Sequence, residues 1–324
     1  MWWSEGHVGA ERPWGNTRAN RSSPKQTNQV TTTAKRLGVV GNARHQDLSS
    51  PLGMLAQVAE EHGVLLYSED ALRDAWPNGA APRWMTGDDD LDGLITLGGD
   101  GTLLRGAGML IRDTIPILGI NMGRVGFLTT ASRADLETAV RAFLAGDYKL
   151  DHRSTLSAEL LPSHEPPQIT ALNDVVVHHA GVARVLQVRI WVDDQEVGQY
   201  SADGIIVASP TGSTAYSLSA GGPIVTPDVD VLIVTAISPH TLAVRPLVVG
   251  AQATIRIEPR LTRSSQVQIT TDGQETATLE PGDAVVVRRG TRSIPLVRFG
   301  STGFFERVRQ KLHWGDLLER LTNE

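Results

Sequence analysis

Apolar residues in the first half of the chain come in short runs separated by stretches of helical period. Leu37-Gly38-Val39-Val40 reads as a buried strand. Ser50 then stands where a helix cap belongs, with Pro51 at the first helical position, Leu52, Leu55 and Val58 on one face, and Gly63 as the stop. Val64-Leu65-Leu66-Tyr67, Leu94-Ile95-Thr96-Leu97 and Ile115-Pro116-Ile117-Leu118-Gly119-Ile120 are the following strands. A helix is expected from Ala134 to about Ala145, capped by Ser132 with Asp135 three residues on, and ended by Gly146. Strands alternating with helices predict an α/β domain whose parallel sheet is covered on both faces.

Past about Leu150 the helical period fades and alternating segments take over. Gln187-Val188-Arg189-Ile190-Trp191-Val192, Ala253-Thr254-Ile255-Arg256-Ile257 and Ala284-Val285-Val286-Val287, separated by turn residues, predict an all-β, sandwich-like second domain. An amphipathic helix from Phe304 to about Leu321, with apolar Phe305, Val308, Leu312 and Leu317-Leu318, is expected to dock on one of the domains. Residues 1 to about 35 mix Gly, Pro, Asn, Ser, Thr and Gln with Arg12, Arg18, Arg21 and Lys25, and show no apolar period. The expected organisation is a tail over 1–35, an α/β domain over 36–149, a β-rich domain over 150–300 and a C-terminal helix over 301–324.

Composition narrows the function. A chain of 324 residues suits two domains, each able to bury a core. The net charge of −6 argues against a nucleic-acid partner. The absence of cysteine excludes disulfides and thiolate metal sites and suits the cytosol. No apolar run approaches the roughly 18 residues of a membrane span, and the first residues lack the apolar core of a signal peptide. His178 and His179 face opposite sides of a strand and match no metal spacing.

The candidate chemistry centres on Gly98-Gly99-Asp100-Gly101-Thr102, which follows a buried strand and opens a helix. In an open α/β sheet the end of such a strand is where ligands sit. Glycines there bring backbone N–H groups close to phosphate oxygens, and the helix N-terminus favours an anion. A carboxylate in that setting implies chemistry or a cation, which makes Asp100 a candidate general base. The other reading is a plain chain reversal in which Asp100 caps the helix. The turn by itself leaves both open. No Walker-type Gly-x-x-x-x-Gly-Lys-Ser/Thr occurs, and the dinucleotide fingerprint fails because Leu104 stands where its third glycine belongs.

Four further segments are too polar or glycine-rich for ordinary connections. They are Gly119-Ile120-Asn121-Met122-Gly123-Arg124-Val125-Gly126-Phe127-Leu128, Leu172-Asn173-Asp174-Val175-Val176-Val177, the stretch from Asp203 through Thr211-Gly212-Ser213-Thr214-Ala215-Tyr216 to Gly221-Gly222-Pro223, and Ile237-Ser238-Pro239-His240. In this order, together with the Gly-Gly-Asp-Gly-Thr turn, they closely resemble the NAD kinase family from about Leu37 to the C-terminus. The resemblance implies phosphorylation of the adenosine 2′-hydroxyl of NAD by ATP or inorganic polyphosphate, in a cleft between an α/β and a β-rich domain. It also implies a homodimer or tetramer, and Mg²⁺ arriving with ATP and held mainly through its phosphates. A ribose hydroxyl is a poor nucleophile, so a carboxylate must accept its proton as the P–O bond forms. The match assigns that role to Asp100, with Gly101 giving close backbone contact to phosphate.

By the same resemblance Asn173 and Asp174 hold the bound NAD, although the family usually carries Glu at the second position. Asp203, Thr211, Gly212, Ser213, Thr214, Ala215 and Tyr216 surround the adenine and ribose, with Tyr216 packing against the base. Arg184 lies at a basic or polar contact position, while Ser201 replaces the Arg of some members. Arg105 either adds charge to the anion site or rests exposed on its helix. Gln274 either reaches the site or flanks an Asp-Gly hairpin turn. Thr102, rather than Asn, accompanies polyphosphate use in parts of the family. The competing readings are another kinase built on this turn (diacylglycerol, sphingosine or phosphofructokinase-like) and a non-catalytic NAD(H) sensor. The Asn-Asp and Thr-Gly-Ser-Thr-Ala-Tyr segments oppose the first, and retention of Asp100 opposes the second.

The tail is too polar to bury enough apolar surface to offset the entropy of ordering it. Deleting residues 1–34 is expected to leave the turnover number within about threefold of the full chain. Loss of activity in a truncated protein that stays folded would contradict this.

Overall fold

Alternation inside the strands decides which face of the first sheet each helix covers. The computed structural model describes residues 36–313, apart from 44–46, 81, 88, 111, 124–125, 163–168, 181–184, 242, 262–265 and 301–302. Its first half holds β1 (Arg36–Gly41), α1 (Ser49–Glu61), β2 (Leu65–Ser68), β3 (Arg83–Trp84), β4 (Gly93–Leu97), α2 (Asp100–Met109), β5 (Ile117–Asn121), β6 (Ala131–Ser132) and α3 (Leu136–Ala145). These strands pair in parallel. Leu37, Val39, Ile95, Leu97, Leu118 and Ile120 point to the face covered by Leu52, Leu55 and Val58 of α1 and by Val140 and Phe143 of α3. Val40, Leu94 and Ile117 point the other way, onto Leu103, Leu104 and Ala107 of α2.

The second half comprises β7 (Lys149–Leu161), β8 (Ile169–Ala171), β9 (Asp174–His179), β10 (Leu186–Val192), β11 (Gln195–Ala202), β12 (Gly204–Ala208), α4 (Tyr216–Ser219), β13 (Val231–Ile237), β14 (Leu247–Gly250), β15 (Ile255–Pro259), β16 (Val267–Thr271), β17 (Gln274–Leu279), β18 (Ala284–Arg298) and α5 (Phe304–Leu312). Six of these strands form an antiparallel sheet in the order β14-β13-β12-β9-β16-β17. Val175, Val177, Ile205, Val207 and Ile269 of that sheet pack on Leu156, Val188, Ile190, Ile257 and Val285, giving the expected sandwich.

The two halves are joined by β7 and β18. These two long strands pair antiparallel along their length, and β18 also pairs antiparallel with β15 and in parallel with β5 at Leu296↔Ile117. Among the described residues one mixed sheet of twelve strands therefore runs through both halves. A run such as Ala284-Val285-Val286-Val287 carries no mark of how far its strand continues, because polar Arg288, Arg289 and Ser293 still pair with β7 on either side of a bulge.

Helix ends also differ from the sequence reading. In α1 the N-cap position is Leu48, with no side-chain cap, because the helix starts two residues earlier than a cap at Ser50 would require. The Ser132 hydroxyl bonds the Asp135 carboxylate at 2.5 Å, leaving a 3₁₀ turn at 133–135 before α3. Gly146 does end α3, with φ of 77°. In α5 only Val308 is fully buried, whereas Phe305 and Leu312 are exposed. The tail, Arg184 and the remainder of the expected last helix lie outside the described residues.

Leu296 is fully buried at the seam where β18 meets β5. Leu296→Ala is expected to cost about 2–5 kcal/mol, read from urea denaturation. Because β18 serves both cores, fluorescence and circular dichroism should shift together, and a change confined to one probe would contradict the shared-sheet description.

Candidate active site

Parallel neighbours β4 and β5 end at the same edge of the sheet, so the segments leaving them meet there. Gly98-Gly99 leads from β4 into α2, whose first residue is Asp100. No side chain caps α2, and the Asp100 carboxylate turns instead to the segment after β5. Its Oδ2 accepts the N–H of Phe127 at 2.8 Å, and its Oδ1 those of Leu128 at 3.0 Å and Thr129 at 3.3 Å. A Cβ on Gly126 would run into Oδ1 of Asp100, which explains glycine at that position. Asn121 fixes the flanks of the loop, donating from Nδ2 to Thr129 Oγ1 at 3.2 Å and accepting the Gly123 N–H at 2.7 Å.

A polar network runs on from this loop. Arg298 Nη1 donates to the Leu128 carbonyl at 2.5 Å, and its Nε donates to Asp151 Oδ2 at 3.0 Å. Arg153 donates to both Asp151 oxygens, at 2.8 and 2.6 Å, and its Nη1 reaches Thr211 Oγ1 at 3.3 Å. The two guanidinium groups hold the Asp151 carboxyl below its ordinary range although burial opposes them. Burial, with Arg307 and Arg153 nearby, lowers Arg298 to about 10. From α5, Arg307 donates to the Phe127 carbonyl at 3.2 Å, and Lys311 Nζ lies 3.5 Å from Asp100 Oδ2.

The far end of this network is the expected NAD pocket. Register places Ala208 of β12 opposite Asp174 of β9, and Thr271 of β16 opposite Val175. The 209–216 segment, Asn173-Asp174 and the Asp272-Gly273 turn therefore share one end of the six-stranded sheet. Asn173 is buried, and its Oδ1 has no hydrogen-bond partner. Gly212 allows the close approach here, since a Cβ would collide with the Asn173 backbone. Ser213 is spent within the loop: its hydroxyl donates to the Pro210 carbonyl at 2.6 Å and accepts the Val225 N–H at 3.1 Å. Thr214 and Ala215 are half-exposed, Tyr216 is exposed and Asp203 is half-buried at the start of β12. Leu172 packs in one cluster with Leu103, Leu104 and Leu128, bringing this pocket against α2 and the Asp100 loop.

Two expectations change on sight of the geometry. Arg105 pairs with buried Glu69 and donates to the Gly41 carbonyl at 2.7 Å, so it braces α2 against β1. Gln274 is exposed and pairs with Thr271 across the turn, whose Asp272 and Gly273 have φ of 50° and 78°. The functional element of that turn is Asp272, which sequence reasoning passed over. Its carboxylate accepts the N–H groups of Leu172, Asn173 and Asp174 at 2.8, 2.7 and 3.3 Å. Asp151, Arg153, Arg298, Arg307 and Lys311 were missed as well, because isolated charges on strands and on a helix carry no local signature. Gly101, exposed in the first turn of α2, leaves the helix N-terminus open.

Burial pushes the Asp174 carboxyl up to about 7, with the nearby Asp272 carboxylate adding to the effect. Asp272 is raised too, less so because its three backbone N–H partners favour the charged form.

A glycine turn and open helix N-terminus bearing one carboxylate, joined through cations to a polar pocket, define a phosphotransferase type of site. Comparison with known proteins agrees. The ATP-NAD kinase N-terminal domain profile matches residues 84–148, and the ATP-NAD kinase C-terminal domain profile matches residues 172–299. The NAD kinase of Gemmatimonas aurantiaca is 41% identical over 289 residues, covering 88% of this chain and 98% of that protein. That of Heliobacterium modesticaldum is 45% identical over 226 residues, covering 69% and 80%. Among solved structures, yeast NADH kinase complexed with NADH superposes with a TM-score of 0.78 at 25% identity, covering 88% of this chain and 89% of that one. An NAD kinase from Archaeoglobus fulgidus in complex with ATP gives 0.65 at 26%, covering 85% and 99%. The chain belongs to the NAD kinase family.

A carboxyl whose folded pKa lies above its unfolded value loses stability as pH rises between the two. For Asp174 that window runs from about 4 to about 7. Asp174→Asn keeps the shape without the buried charge, so its melting temperature should exceed the wild type at pH 8 and match it near pH 4. Equal melting temperatures at both pH values would contradict the assignment of a strained carboxylate.

Proposed function

We propose that the protein transfers a phosphoryl group from ATP or inorganic polyphosphate to the adenosine 2′-hydroxyl of NAD, with Asp100 as general base. The carrying observation is the unequal loading of its carboxylate. A carboxylate offers about four acceptor positions. Oδ1 holds two backbone N–H groups, whereas Oδ2 holds one and has Lys311 Nζ 3.5 Å away, so Oδ2 is the oxygen that takes a proton once that ammonium moves off. The clamp fixes the carboxylate plane in advance, which lowers the entropic cost of orienting the base. As the ribose oxygen forms its bond to phosphorus, the hydroxyl proton passes to Asp100 Oδ2. The bond to the leaving phosphate oxygen breaks, and the electron pair departs with ADP or the shortened polyphosphate.

Asn173 and Asp174 support the acceptor side. The unpartnered Asn173 Oδ1 is available to a ribose hydroxyl or adenine amine, and an ionised Asp174 accepts from the ribose. Thr211, Thr214, Ala215 and Tyr216 form the polar wall around them, with Gly212 and Ser213 shaping its loop, while Asp203, at the opposite end of β12, stays in this proposal on the family match alone. Arg184 stays in this proposal on the family match alone. Mg²⁺, carried by ATP, offsets charge on the transferring phosphates. Among the described residues no three His, Asp or Glu side chains gather round one point, so the donor's own oxygens supply most of its ligands. Assembly as a dimer or tetramer is supported by exposed Val197 on edge strand β11 and Val248 on edge strand β14. No helix of the described residues is long and apolar enough to cross a membrane; a cytoplasmic location rests on the cysteine-free composition.

The direct test is coupled detection of NADP from NAD with each donor, in the wild type and Asp100→Asn. The variant cannot accept the proton, and its turnover should fall by about 10²–10⁴-fold. Its affinity for NAD by calorimetry should change far less. Turnover above a tenth of the wild type would end the general-base assignment, and a large drop in melting temperature with intact turnover would leave Asp100 with a structural part alone, as the clamp of the 127–129 loop.

A further inference from the structure

The C-terminal helix brings two basic side chains to the Asp100 loop. Arg307 and Lys311 lie four residues apart, on the side of α5 that buries Val308. Arg307 reaches the Phe127 carbonyl, and Lys311 Nζ sits 3.5 Å from Asp100 Oδ2 and 4.8 Å from the centre of the Phe127 ring. Among the described residues Arg153 and Arg298 lie in the same network, on Asp151. Arg298 Nη2 is buried without a hydrogen-bond partner. Between α5 and the Asp100 loop lies a cavity of about 210 Å³ lined by Asn121, Gly126, Thr129, Arg307 and Gln310 among others. Glycine backbone, amide and hydroxyl side chains and a guanidinium, with no carboxylate in the lining, suit phosphate oxygens.

We propose that Arg307 and Lys311 form the clamp for the donor's phosphate chain, with Lys311 exchanging its contact with Asp100 for an oxygen of the transferring phosphate. The inference rests on the phosphotransfer reading above. Before the donor arrives, Lys311 screens Asp100. Once Lys311 turns to the phosphate, Oδ2 is released as a base at the moment the electrophile is in place. The clamp touches phosphate alone and no base or sugar, so it serves ATP and inorganic polyphosphate alike. The atom balance is unchanged: the proton goes to Oδ2, and Lys311 stays protonated and stabilises charge on the phosphate oxygens.

Lys311 has a side chain 37% exposed, so Lys311→Met should fold normally, which its melting temperature checks. Initial rates are measured with MgATP and, separately, with inorganic polyphosphate, varying each donor at saturating NAD and NAD at saturating donor. Loss of one charged contact should raise the donor KM about tenfold or more with both donors and leave the KM for NAD unchanged. Lys311→Arg should recover most of it. Calorimetry with a non-hydrolysable ATP analogue should show the same loss without turnover. A wild type that binds the analogue, and a Lys311→Met variant that does not, would uphold the clamp even if NAD proved to be the wrong acceptor. An unchanged donor KM with an upward move in the acid limb of the pH–rate profile would overturn it, making Lys311 a mere counter-ion of Asp100. Equal rises in both KM values with a lower melting temperature would also overturn it, since that is the signature of a structural role. A rise confined to ATP would overturn the claim that the phosphate chain is what the clamp reads.

Discussion

Three backbone N–H groups converge on one carboxylate, and the geometry of the site depends on that convergence. A loop between strands carries N–H groups with no ladder partner, and buried donors left unpaired are costly. Asp100 supplies acceptors to Phe127, Leu128 and Thr129 at once. The loop is thereby fixed to the first turn of α2, where a negative charge is also favoured by the helix dipole. One side chain thus orders the segment beside it.

The clamp has a second consequence, because the loop's carbonyls point to cations. Leu128 offers its oxygen to Arg298 and Phe127 offers its own to Arg307. Through Asp151, Arg298 is tied to Arg153, and Arg153 reaches Thr211 beside the acceptor pocket. Breaking one member of such a buried network leaves an uncompensated charge, so the network holds its parts in one arrangement more than it adds net stability. Both halves of the fold contribute, since the Leu128 carbonyl follows β5 of the first, while Asp151 and Arg153 on β7 and Arg298 at the end of β18 belong to the second. The mixed sheet carries the Gly98–Thr102 turn, and the six-stranded sheet that packs on it carries Asn173 and Asp174.

Much of this was legible from residue order. Apolar alternation and turn residues located β1, β4, α3 and the sandwich strands, because buried faces impose their period on the sequence. Gly98 to Thr102 marked the turn, and Asn173-Asp174 marked the pocket through the family's pattern. What stayed hidden depended on pairing at a distance. The continuous sheet through β18 follows from register, which no local window contains. Asp272 read as a hairpin residue, and its role as acceptor for three N–H groups emerged only when β16 was seen beside β9. Arg105 looked available because a helical arginine usually is, and Glu69, 36 positions away, claims it.

Amide hydrogen exchange at Phe127, Leu128 and Thr129 tests the central clamp most directly, in the wild type and in Asp100→Ala. Alanine leaves those donors without an acceptor, so their exchange should speed sharply while the amides of β4 and β5 keep their protection. Unchanged exchange at all three, in a variant as stable as the wild type, would show that the loop is held by something other than Asp100.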